Sequence, residues 1–68
     1  LTTMRLIVAR VTQEPSMDEV LEVEARDWAT DKSIGEAILT RASEMPGWDE
    51  EAGCDVTILS DGASPNRT

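Results

Sequence analysis

From Met4 to Val11 the chain is apolar on both sides of an extended backbone: Leu6 and Val8 fall on one face, Ile7, Ala9 and Val11 on the other. Such a strand belongs in the middle of a sheet rather than at its edge. Thr12 to Asp18, with Gln13, Glu14, Pro15 and Ser16, has the composition of a turn. Val20 to Trp28 then alternates, with Leu21, Val23 and Ala25 on one side and Glu22, Glu24 and Arg26 on the other. That is the period of a half-buried strand. A helix competes for the same stretch, with Ser16 and Glu19 as a capping box and Met17, Val20, Leu21 and Trp28 as its stripe. The helix puts Glu24 on the apolar stripe and Val23 off it, so the strand is the better reading.

The spacing of Ile34, Ala37, Ile38, Ala42 and Met45 predicts a helix over Asp31 to Met45. Ser33 and Glu36 read as its capping box, and Pro46-Gly47 as its stop. Asp31 and Glu36 near its start and Arg41 near its end suit the helix dipole. Trp48 to Gly53 is an acidic loop, and Asp55 to Ser60 reads as a third strand, with Val56 and Ile58 on one face and Thr57 and Leu59 on the other. Residues 62–68 read as a tail after a single domain of residues 1–61.

The order strand, strand, helix, strand predicts an α+β domain, a split β-α-β (ββαβ) fold. Its sheet has three strands in the order 2-1-3, with the helix packed on one face. The core is expected to combine the helix with Leu21, Val23, Val56 and Ile58. The open face is expected to carry Ile7, Ala9, Val11 and Leu59 beside Glu22, Glu24 and Thr57, and to offer a surface for a homodimer.

Composition narrows the function. A chain of 68 residues buries only about 60% of its unfolded surface and gains from a partner. It has one cysteine, Cys54, and no histidine. An intrachain disulfide is therefore out of reach, and the commonest general base and transition-metal ligand is missing. Fourteen carboxylates against six basic side chains leave a formal charge of −8. Nucleic acid and anionic membranes are disfavoured as partners, and a protein with a basic or mixed surface is favoured. No segment approaches the roughly 20 apolar residues of a membrane span and none reads as a signal peptide, so the expected location is the cytoplasm.

Catalytic and cofactor chemistry is sparse. Asp49-Glu50-Glu51 lacks the spacing of a calcium loop and reads as a solvated acidic turn. Cys54 has no base to activate it, and its neighbour Asp55 works against a thiolate. No cofactor, metal or catalytic residue is assigned. The candidate protein-binding residues are Glu22, Glu24, Asp27, Trp28, Trp48, Asp49, Glu50 and Glu51. The tryptophans either anchor the core or present apolar surface among carboxylates, as binding hot spots do. The hairpin, the segment EARDWATDKSIGEAILTRASEM and the short strand after it resemble in pattern small phage and bacterial proteins. The resulting expectation is a non-enzymatic acidic protein-binding module, such as a phage-encoded inhibitor or adaptor of a host protein. A self-associating assembly subunit and a DNA mimic are the competing readings.

Overall fold

The computed structural model describes residues 3–62; the expected tail lies outside them from residue 63 onward. The elements run β1 (Met4–Gln13), β2 (Met17–Arg26), α1 (Asp31–Ser43) and β3 (Asp55–Ser60). The sheet order is β2-β1-β3, and β1 is antiparallel to both neighbours. This is the expected ββαβ fold, with the doubly apolar strand in the centre.

The hairpin is longer than its sequence suggests. β1 continues through Gln13 and β2 begins at Met17, so only Glu14, Pro15 and Ser16 turn the chain. Residues 17–26 are strand, and the competing helix does not form. Met17 drives this extension, because its side chain is buried in the core opposite Gln13. β2 ends at Arg26, before Trp28.

The helix begins at Asp31, as expected, but its cap lies one turn before the Ser33–Glu36 pair. Thr30 is the N-cap: its Oγ1 accepts from the Ser33 amide at 3.1 Å, and Ser33 Oγ accepts from the Thr30 amide at 3.1 Å. Asp31 and Lys32 are thereby helical. At the far end the helix stops at Ser43, short of Met45, with Glu44 as C-cap. Gly47 then adopts a φ of +94°, and a Cβ there would lie 3.1 Å from the Ser16 carbonyl oxygen. The reversal that the Pro46-Gly47 pair predicts thus packs against the hairpin turn.

The two faces of β1 are opposite to expectation. Ile7, Ala9 and Val11 are almost completely buried and form the centre of the core. Register explains this, because residues directly opposite each other share a face. Ile7 faces Val23, Ala9 faces Leu21 and Ile58, and Val11 faces Val56. The face that holds Leu21 and Val23 therefore takes Ile7, Ala9 and Val11 with it. Ile34, Ile38 and Ala42 of α1 close this core. The open face carries Met4, Leu6, Val8 and Val20 alongside Glu22, Glu24 and Thr57.

A second departure concerns β3. Val56 and Ile58 lie on the helix side but remain 37% and 47% exposed. The helix leans toward β2, where Arg41 donates to the Glu22 carbonyl oxygen at 3.4 Å. The third strand is left uncovered, and all six of its residues are exposed.

Candidate interaction surfaces

The candidate binding residues occupy three separate places. Glu22 and Glu24 stand on the open sheet face, opposite Val8 and Leu6. Asp27 and Trp28 follow β2 beside the start of β1. There the Asp27 amide donates to the Thr3 carbonyl at 3.1 Å, and Thr3 Oγ1 donates to Asp27 Oδ2 at 2.8 Å. Trp28 is 70% exposed. Trp48, Asp49, Glu50 and Glu51 lie in the α1–β3 connection, beside the other end of β1. At about 3.3 Å per residue, the ten residues of β1 separate these ends by roughly 30 Å. The fold does not bring the two tryptophans together. Trp48 is half-buried against the core, whereas Trp28 projects into solvent.

The acidic loop is held by a residue that the turn reading passed over. Gln13 is buried. Its Oε1 accepts from the Asp49 amide at 2.8 Å, and its Nε2 donates to the carbonyls of Asp49 at 2.9 Å and Ala52 at 3.4 Å. One side chain thus ties the connection to the end of the sheet. The signal was present, since Gln13 continues the core-facing series Ile7, Ala9 and Val11 with its period of two. The Asp49 carboxylate also accepts from the Glu51 amide at 3.0 Å. Among the described residues, no three His, Cys, Asp or Glu side chains are grouped so that they would hold a metal ion.

On the open face Arg10 and Asp18 form a two-pronged ion pair at 2.8 and 2.7 Å. The Arg10 hydrogen bond holds the Asp18 carboxyl below its ordinary range, and the Asp18 hydrogen bond raises the Arg10 guanidinium above its own. At the start of β3, partial burial pushes the Cys54 thiol up, and Asp55 adds to the effect. Cys54 is therefore held as a thiol rather than activated as a thiolate.

A group of exposed apolar side chains lies at β3. Val56 and Ile58 are exposed on the helix side, and Leu59 is 54% exposed where the β1–β3 register shifts. Between α1 and β3 runs a groove of about 250 Å³. Ile34 and Ile38 line its helix side, Val56 and Ile58 its strand side, and Asp31, Arg5 and Asp61 also border it. A Cβ on Gly35 would meet no atom within 4 Å, so the helix wall is open there. Arg5 donates from Nη2 to the Ala29 carbonyl at 3.2 Å, while its Nε is buried without a hydrogen-bond partner. This arrangement offers aliphatic surface with charge at its borders, a combination suited to recognition. No known protein family, curated protein or solved structure matches this chain.

Proposed function

We propose that this chain is a non-enzymatic acidic protein-binding module, acting in the cytoplasm on a protein with a basic or mixed surface. The observation that supports this reading most is the state of β3. In a domain of this size every large aliphatic side chain is valuable to the core, yet Val56, Ile58 and Leu59 remain exposed. Exposed aliphatics gathered on one short strand mark an interaction surface more than the same residues scattered singly do. The charge of −8 selects the partner's sign and speeds encounter with it. Glu22 and Glu24 add negative charge to the open face, and Asp27, Asp49, Glu50 and Glu51 add it at the two ends.

The test is capture from a lysate of the source organism at low and high salt, read by mass spectrometry. A single protein retained at low salt and released at high salt is the expected result, because exposed charges are screened beyond about 10 Å at 0.1 M salt. Recovery of the bait alone at both salts would overturn the reading. Sedimentation of the purified protein separates this outcome from self-assembly, in which the chain itself is the partner.

A further inference from the structure

We propose that β3 is a latch: it opens from the sheet as a unit while the β1–β2 hairpin and α1 stay folded, and its release turns β1 from a central strand into an edge. The proposal does not rest on the protein-binding reading. The buried core is drawn entirely from β1, β2 and α1, and none of the partly buried hydrophobic residues packed against it lies on β3. All six residues of β3 are exposed. The helix packs on β2, and a groove of about 250 Å³ lies between it and Val56 and Ile58. A segment that buries little apolar surface opens at a lower free energy than the core beside it. Its ladder is also the shorter one. β2 pairs with β1 from Met4 to Gln13, whereas β3 pairs only from Val8 to Thr12, with a register shift between Val8 and Ala9.

The two ends of β3 are held differently. On the side that leads into the strand, the connection packs at Gly47 against the Ser16 carbonyl oxygen, and Gln13 binds Asp49 and Ala52. These contacts keep the chain on the hairpin as far as Ala52. A Cβ on Gly53 would meet no atom within 4 Å, so the chain is unpacked between that anchor and Asp55, and the hinge falls there. On the far side Gly62 has a φ of +59°, in the left-handed region that favours glycine. A Cβ there would collide with the Leu6 carbonyl oxygen and lie 2.6 Å from the Leu6 amide nitrogen. The backbone of Gly62 therefore seats directly on β1, where a side chain has no room. This seat is the catch.

Opening has a defined consequence. From Val8 to Thr12, β1 loses its partner on one side, and its backbone groups that faced β3 become free. The flanks of Ala9 and Val11, which stand opposite Ile58 and Val56, are uncovered at the same time. An unpaired strand edge invites pairing with other chains. The shut latch covers that edge, and its opening governs access to it.

Hydrogen exchange of the full chain, followed by NMR at zero and low urea, tests the latch. In the parent, amides of β3 and those of β1 that donate to β3 are expected to share one opening with little dependence on urea. Amides of the β1–β2 ladder and of α1 are expected to exchange about tenfold or more slowly, with a steep dependence on urea. Ile38→Val removes a buried carbon from the part that stays folded. It is expected to speed exchange of the hairpin and helix about three- to tenfold and to leave β3 within about twofold. Gly62→Ala strains the shut form, and is expected to speed exchange along the whole of β3 about tenfold or more. Equal acceleration of both sets by Ile38→Val would mean that the domain opens only as a whole, and would overturn the proposal. An effect of Gly62→Ala confined to the amides beside it would do the same, because the strand would then fray rather than open as a unit. Amides of β3 without protection in the parent would also overturn it, since the latch would not be shut at rest. Should Gly62→Ala fail to fold, the urea dependence of the parent and the Ile38→Val comparison decide.

Discussion

Gln13 offers the sharpest test of how this small domain is held together. Replacing it with leucine keeps the volume and the burial but removes every polar contact to the acidic loop. The Asp49 amide and carbonyl lose partners at 2.8 and 2.9 Å, and the Ala52 carbonyl loses a longer one at 3.4 Å. A buried group left unsatisfied costs about 1–3 kcal/mol. Asp49 is itself exposed, so water re-solvates part of the loop and the low end of that range applies to each of the two short bonds. The sum is about 2–3 kcal/mol, set against a total stability of roughly 3–10 kcal/mol for a chain of this length. Urea unfolding followed by tryptophan fluorescence measures the change, because Trp48 adjoins the loop and is half-buried. With a slope near 1 kcal/mol per molar urea, the midpoint should fall by about 2–3 M. Gln13→Glu separates polarity from shape. The carboxylate still accepts from the Asp49 amide but opposes the two carbonyls, so this variant should recover stability as the pH falls and the carboxyl regains a proton. A leucine variant whose midpoint stays within about 0.5 M of the parent would refute the pinning role of Gln13.

Three further outcomes are expected. Thr30→Ala should cost about 1 kcal/mol of stability and Glu36→Ala almost nothing; the reverse ranking in thermal unfolding would restore the Ser33–Glu36 box. Ile38→Ala should cost about 2–5 kcal/mol and Leu39→Ala within about 0.5 kcal/mol, since Ile38 is fully buried and Leu39 is exposed; similar losses in denaturant melts would contradict the orientation of α1. Asp18→Asn should flatten part of the acid limb of the stability curve. The carboxyl of Asp18 is held low chiefly by the Arg10 hydrogen bond, so the unfolded chain binds its proton first as the pH falls. Its contribution is complete above the unfolded pKa and lost as the pH falls through the folded one. The effect should shrink with salt because the pair is exposed. Urea midpoints from neutral pH to about pH 3 check it, and identical curves for the two proteins would count against the pair.

The strands, the helix and their order were legible in the sequence because each rests on a local period: two in the strands and 3.6 in the helix. Asp55 to Ser60 ends where expected, since turn residues bound it on both sides. Ile34, Ile38 and Ala42 face the core because their spacing allows nothing else once one of them is buried. The sheet order followed from β1 alone, the one strand with apolar side chains on both faces. Net charge and the absence of histidine likewise need no structure.

Which face of β1 is buried was a different kind of question. Leu6 and Val8 are as apolar as Ile7, Ala9 and Val11, so periodicity offers two equivalent answers, and only the register with Val23 and Leu21 chooses between them. The candidate binding residues posed the same difficulty. Charge and aromatic character identify side chains, but their distance apart depends on the path of the chain, which sends Trp28 and Trp48 to opposite ends of β1. The exposure of Val56 and Ile58 also lies beyond local pattern. They alternate as buried residues do, but one helix of 13 residues leaning toward β2 does not cover the third strand. The sequence by itself determined the elements and the charge. The lateral position of a single helix over three strands decided which apolar residues of β3 stayed exposed.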